Sequence, residues 1–392
     1  MKSLNKFIPY GKQSISEEDI ENVISALKSP LITQGPLCQE FESKISKKIG
    51  SQYGVAVNSA TSALHIACIA LGLKKGDILW TSPISFVASA NCALYCGAKI
   101  DFVDIDPNSG LMSIEKLKEK LSIAALNNKL PKIIIPVHLT GSSCNMEEIF
   151  KLSKKYNFKI IEDASHAIGG KYKAQYVGNC KYSSVCVFSF HPVKIITTGE
   201  GGFASTNDKI IFEKMVNLRS HGIIRNIKDF KYKSNGPWSY EQQELGFNYR
   251  LTELQAALGI SQLKRLDNFV IKRNILFERY KKLIEDLPIK LLEIPNNVYS
   301  SVHLAVIRLD NKEKSFHKFI FEKMQSHNIG VQLHYQPIHL HPFYQNLNFK
   351  KNDFPNAELY SQNAISIPLY PDLTEEEQIF IVSILSKYLQ QR

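Results

Sequence analysis

Between residues 53 and 166 short apolar runs alternate with amphipathic stretches, and the alternation predicts the architecture. Val55–Val57 reads as a strand that runs through Asn58-Ser59-Ala60-Thr61 into a helix, SALHIACIALG, closed by Gly72. Asp77–Ser82 is the next strand, and Pro83 to Phe86 leads into a helix that ends near Cys96. Strands follow at Lys99–Val103, Lys132–Val137 and Phe158–Ile161, with helices between them at Ile114–Leu121 and Met146–Tyr156. Runs this short and this apolar suit strands buried on both faces, and the βαβα rhythm predicts a mainly parallel sheet with helices on either side.

The flanks carry other patterns. Residues 14–28 open with Ser and acids and place Ile20, Val23, Ile24 and Leu27 on one face, which predicts an amphipathic helix. A loop, Ser29–Pro36, separates it from a helix at about Leu37–Ile49. From Leu251 the rhythm changes: Thr252 and Gln255 form a capping-box signature at the head of a long helical stretch reaching Leu283. A strand near His303–Leu309, a helix at about Ser315–Asn328 and the stretch Val331–Tyr344 follow. These patterns predict a large α/β domain over 14–250 and a smaller α+β domain over 251–392, with residues 1–13 packing against the smaller one.

Ligands of parallel sheets gather at the carboxyl ends of the strands. Polar clusters fall there at Ser59–Thr61, Ser82–Phe86, Asp163–His166 and Ser189–Lys194. The last closes the segment SSVCVFSFHPVKIITTGEGG, in which Val185–Phe190 reads as a buried strand, Pro192 stops it, and Gly199, Gly201 and Gly202 permit a sharp return of the chain. A lysine at the mouth of a buried strand is a candidate for an amine whose pKa is lowered by desolvation, able to form a Schiff base with an aldehyde. Lysines are usually solvated surface charges, so Lys194 gains weight only from its company.

That company matches the needs of pyridoxal phosphate chemistry: an amine, an anion site, a carboxylate for the pyridine nitrogen and an apolar face for the ring. The small residues Ala60 and Thr61 open a helix whose free N–H groups could cradle a phosphate, or could simply be a capped start. Asp163, ending an apolar strand, could face a cation or cap the following turn. His166 could approach the cofactor's phenolic oxygen or make a structural hydrogen bond, and Phe86 could stack on the ring or belong to the core.

Composition narrows the class. The 392 residues are 44% hydrophobic and 22% charged, ordinary for a soluble enzyme. The net charge of +11 is spread through short amphipathic stretches, which argues against nucleic-acid binding. No apolar stretch is long enough for a signal peptide or a membrane span. The seven cysteines lack a paired framework, and a reducing cytoplasm fits them best. Cys92 and Cys96, a helical turn apart, read as small core residues. His334, His339 and His341 lack a carboxylate or cysteine to complete a metal site, so no metal is expected.

NSATSALHIA, PISFVASAN, EDASHAIGG, SFHPVKIITTGEGG and GFNYRLTELQAALG, in this order and spacing, resemble the sugar-nucleotide aminotransferases of the DegT/StrS group, from Tyr10 to LHYQPIHLHPFY. The resemblance implies a fold type I transferase that uses pyridoxal 5'-phosphate. It implies that Lys194 bonds the cofactor, that Ser189, Ala60 and Thr61 hold its phosphate, that Asp163 meets the pyridinium, and that His166 and Phe86 contact the ring. Asn248 matches a residue that reaches the phosphate of the other subunit, implying a homodimer with shared sites. Tyr10, the loop Pro30-Leu31-Ile32-Thr33, and Gln332-Leu333-His334-Tyr335 resemble substrate-contacting segments. Within the group the wording is most similar to the pseudaminic acid branch. That branch aminates C4 of a UDP-linked 2-acetamido-2,6-dideoxy-4-keto-L-hexose, with L-glutamate as the implied donor. Ser82-Pro83 and His191-Pro192 depart from many members without touching this chemistry. The intact Lys194 disfavours the dehydratase offshoot, which carries histidine there. Another UDP- or dTDP-keto-sugar aminated at C3 or C4 remains an alternative, as does a non-enzymatic regulator, which the intact Lys194 and Asp163 disfavour.

Overall fold

In the computed structural model, which describes residues 6–310 and 313–390, the apolar runs assemble into one seven-stranded sheet. Its strands are β1 (Tyr53–Val57), β2 (Ile78–Thr81), β3 (Lys99–Phe102), β4 (Ile133–Ile135), β5 (Lys159–Asp163), β6 (Val185–Ser189) and β7 (Gly202–Thr206). Their spatial order is β1-β7-β6-β5-β4-β2-β3. Neighbours from β6 through β3 pair in parallel, while β7 runs antiparallel to both β6 and β1. Every residue of β4, β6 and β7 is buried, as expected of strands covered on both faces.

The helices that follow the strands begin on side-chain caps that the sequence supplies. Ser59 Oγ accepts from the Ser62 N–H at the head of Ala60–Ala70, and Ser113 caps Ile114–Leu126 in the same way. Thr252 and Gln255 form the full capping box of helix Glu253–Lys264. Glu253 itself reaches across to accept from the Leu37 and Cys38 N–H groups (2.7 and 3.1 Å), satisfying the free donors at the start of helix Pro36–Ile49.

The predicted long helix is interrupted. Helix Glu253–Lys264 ends at Arg265, and helix Leu266–Leu283 begins there. No Gly or Pro marks the break. Arg265 instead bonds the buried Asp19 carboxylate and donates to the Ser14 carbonyl (2.9 Å). Helix Glu253–Lys264 packs on the first two helices and on the large sheet's core, together with Leu266 and Phe269. A second core begins at Leu276. It wraps a three-stranded antiparallel sheet of Ile289–Leu291, Ala305–Leu309 and Ala364–Ile367, backed by helices Lys314–Ser326 and Glu375–Leu389. The boundary predicted at 251 thus falls inside the first core's packing.

Ile8 lies in the second core, and its N–H and C=O bond Asn328 and Gly330. Tyr10 C=O accepts from the Leu369 N–H, so the N-terminal strand is clipped to the C-terminal part; residues 1–5 of the predicted 1–13 segment lie outside the described residues. Buried Arg273 stitches the parts together, donating to the carbonyls of Val302, His303 and Leu369. Among the described residues no helix is long and apolar enough to cross a membrane.

Candidate active site

The carboxyl ends of β1, β5 and β6 open on one cleft of about 660 Å3. The antiparallel β7 runs between β1 and β6. Gly202 sits level with Val57 on one side and Ser189 on the other. A Cβ built on it would lie 2.4 Å from the Ser59 carbonyl and 2.5 Å from the Ala60 nitrogen. Only glycine lets this strand approach the start of helix Ala60–Ala70 so closely. Ser189 Oγ, the Ser59–Thr61 turn and the first N–H groups of that helix therefore face one small concavity, suited to a phosphate by hydrogen bonding and by the helix dipole.

Lys194 is delivered by the turn that ends β6. Its N–H donates to the His191 carbonyl (2.9 Å), Phe190 N–H returns to Gly201, and Gly199 takes the left-handed conformation (φ 79°) that the reversal requires. Burial lowers the Lys194 amine to about 8, while the Asp163 carboxylate pulls in the opposite direction.

Asp163 is 5% exposed and held from below. Its Oδ1 accepts from Ser165 N–H (3.1 Å) and Oγ (2.6 Å), and its Oδ2 accepts from Ser89 Oγ (2.6 Å), which Ser85 Oγ contacts at 2.7 Å. Three of about four acceptor positions are taken, leaving one for a cationic N–H in the cleft. His166 faces the same space. Its Nε2 meets Tyr335 Oη at 3.2 Å, and its buried Nδ1 has no partner among the described residues. Burial, then the Lys194 charge, push its pKa well below the ordinary imidazole range. Phe86 remains 59% exposed at the cleft wall, its ring 6.3 Å from that of Tyr335.

Tyr10, Ala60, Thr61, Phe86, Asp163, His166, Ser189, Lys194, His334 and Tyr335 therefore share one cleft. The other seven predicted positions, Pro30–Thr33, Asn248, Gln332 and Leu333, lie outside its lining in this chain. The loop Pro30–Thr33 is exposed and tied down by a Thr33–Thr252 bridge and by Glu253 N–H to the Ile32 carbonyl. Asn248 is exposed and bridged to Ser220, and Gln332 points to solvent with Oε1 accepting from Leu333 N–H. Sequence reasoning missed Ser89, hidden inside a helix, and His303, which lines the cleft 4.4 Å from the His166 ring. The histidine triplet weighed for metal is dispersed: His339 Nε2 is bonded to buried Glu358 at 3.0 Å, while His334 lines the cleft.

The sequence profile of the DegT/DnrJ/EryC1/StrS aminotransferase family matches residues 13–386. The chain belongs to this family. It is 38% identical over 384 residues to the UDP-4-amino-4,6-dideoxy-N-acetyl-beta-L-altrosamine transaminase of Campylobacter jejuni, covering 98% of each chain. Its fold superposes on PseC of Helicobacter pylori, an aminotransferase involved in the biosynthesis of pseudoaminic acid, with a TM-score of 0.90, 32% identity and coverage of 99% and 100%. Spr1654 of Streptococcus pneumoniae in its PLP form gives 0.89 at 27% identity, covering 98% and 99%.

The protein is accordingly a sugar aminotransferase dependent on pyridoxal phosphate, with the fold type I architecture. The residues present fit that cofactor. Ser189 and the start of helix Ala60–Ala70 border one cleft where a phosphate can sit, Asp163 keeps one acceptor position free, and His166 has an unpartnered buried nitrogen.

With its pKa at about 8, the Lys194 amine is neutral in about a tenth of molecules at pH 7, against about one in 2,500 for an ordinary lysine. The rate at which apo-protein captures pyridoxal phosphate, followed by absorbance, should rise with pH and half-saturate at about 8. Because Asp163 raises the amine's pKa, Asp163→Asn should move that midpoint to lower pH; a midpoint near 10 in both proteins would contradict the assignment.

Proposed function

We propose that this enzyme transfers the amino group of L-glutamate to C4 of a UDP-linked 2-acetamido-2,6-dideoxy-4-keto-L-hexose, as a step of pseudaminic acid biosynthesis. The observation carrying this reading is the likeness over 98% of both chains to a transaminase of that 4-amino sugar, joined to a cleft that holds Lys194 and Asp163 together.

Bound pyridoxal phosphate supplies the carbonyl that takes an amino group from the donor and yields it to the keto-sugar. The chain supplies the rest. Backbone N–H groups at Ala60 and Thr61, with Ser189 Oγ, hold the phosphate. Asp163, fixed by Ser89 and Ser165, keeps a proton on the ring nitrogen by presenting a negative charge in a dry site. Phe86 covers the ring from the cleft wall. Lys194 Nζ, poised near pH 8, takes a proton from the donor's α-carbon and returns one on the other side of the transfer. Tyr10, His334 and Tyr335 border the sugar's approach.

The exposed Asn248 and loop Pro30–Thr33 have a use if two copies share their sites, each lending these residues to the other's cleft. We place the enzyme in the cytoplasm, where its seven free cysteines would stay reduced. A second reading keeps the chemistry and changes the sugar to another UDP- or dTDP-keto-sugar, aminated at C3 or C4.

An absorbance band of the holoenzyme should shift on adding L-glutamate and return on adding the UDP-4-keto-sugar, while Lys194→Ala should lower turnover by more than about 10³-fold. A band that answers glutamate and ignores this sugar would move the assignment to the second reading. Shared sites have their own test. Lys194→Ala and Asn248→Asp chains, each inactive alone, should regain about a quarter of wild-type activity when co-refolded, since half the dimers then contain one complete site. No recovery would place Asn248 in its own chain's site or outside any site.

A further inference from the structure

An amino acid donor brings an α-carboxylate into the cleft, and this chain meets it without a guanidinium. Among the described residues lining the cleft there is no arginine. The lining charges are Lys194, Asp163 and Glu200, and Lys194 is committed to the cofactor. The remaining polar groups of the lining, which include Tyr10, Asn58 and Tyr335, also include buried imidazoles. His303 is 3% exposed, lines the cleft beside His166, and its ring has no hydrogen-bond partner among the described residues. Its position is fixed through its backbone: Arg273 donates to its carbonyl at 3.2 Å, and its N–H donates to the Thr140 carbonyl at 2.7 Å. His334 is 7% exposed and also lines the cleft. Its Nδ1 is engaged by Ser366 Oγ at 2.8 Å, which leaves Nε2 without a partner among the described residues. Two buried imidazoles with a nitrogen to spare, at the wall of a cleft that must accept an anion, are donors awaiting a ligand.

We propose that the ring N–H groups of His303 and His334 hold the carboxylate of the amino donor and so act as the donor-specificity residues of this site, in place of an arginine. The inference rests on the aminotransferase reading of the site and not on the identity of the sugar.

The physical advantage lies in having two substrates for one cleft. Burial holds both imidazoles neutral, His334 down to about 3 and His303 well below its ordinary range, with the Lys194 charge acting in the same direction. A neutral N–H donates to a carboxylate in a charge-assisted hydrogen bond while the donor is present. When the donor has left and the nucleotide sugar occupies the cleft, no cation is stranded there. An arginine in the same place would be a buried charge without a partner in half of every cycle.

The two half-reactions separate the outcomes. In His303→Phe the dissociation constant for glutarate, an inert dicarboxylate, should rise at least tenfold, and the KM for L-glutamate in the donor half-reaction should rise with it. The sugar half-reaction should change by less than threefold. His303→Asn, which keeps an N–H donor, should bring glutarate affinity back to within threefold of wild type, and His334→Ala should raise the glutarate dissociation constant as His303→Phe does. Unchanged glutarate affinity in both ablating variants would overturn the proposal. So would an equal fall in both half-reactions with no rescue by asparagine, which is the signature of a packing role. Because the donor half-reaction and glutarate binding are read without any sugar, failure of the UDP-4-keto-sugar to react would count against the substrate assignment alone.

Discussion

Everything in this molecule depends on one amine being kept in a place that disfavours its charge. Removing Lys194 from water lowers its affinity for a proton, and the carboxylate of Asp163 across the cleft raises it; the outcome, about 8, leaves the amine able both to bond a carbonyl and to move protons near neutrality. That balance requires the Asp163 carboxylate to stay in place, 5% exposed, and hydrogen bonds from Ser89 and Ser165 hold it there. It also requires the neighbouring histidines to stay uncharged, since each protonated imidazole would push the lysine lower still. Burial arranges that as well, for His166, His303 and His334 together.

The scaffold answers these requirements through its strand order. Parallel strands send their carboxyl ends to one edge, so Asn58, Asp163 and Ser189 converge although they are far apart in sequence. The single antiparallel strand adds what parallel strands cannot. It brings Gly202 to the same edge from the other direction, and the missing side chain lets the strand lie against the Ser59–Ala60 peptide, so that Ser189 and the helix start at Ala60 border one cleft. The C-terminal part contributes the opposite wall with Tyr335 and His334, anchored through the Tyr360 hydroxyl on the His334 carbonyl (2.7 Å) and through Arg273 on the His303 carbonyl.

Much of this is legible in the chain, for reasons that particular residues make plain. Strands such as β4 and β6 announce themselves because burial on both faces demands unbroken apolar runs such as Ile133–Ile135. Strand β7 does not: GFAST is small and partly polar, and it is a strand because β1 and β6 bond it on both sides. The break at Arg265 is silent too, since it comes from a contact with Asp19 across 246 positions of sequence. In the site, Lys194, Asp163 and Ser189, which share the cleft near strand ends, could be found from pattern and resemblance. Ser89 could not, because a serine within a helix is ordinary until a carboxylate is seen above it. His303 carried no signal either; its meaning comes from His166 at 4.4 Å and from the cleft they share.

The central claim is that one lysine, at the mouth of β6, bonds the cofactor. Reduction of the holoenzyme with borohydride, followed by proteolysis and mass mapping, tests it most directly. The account predicts a single phosphopyridoxyl group, on the peptide that carries Lys194. Label on any other lysine, or a protein that takes up no label, would contradict it.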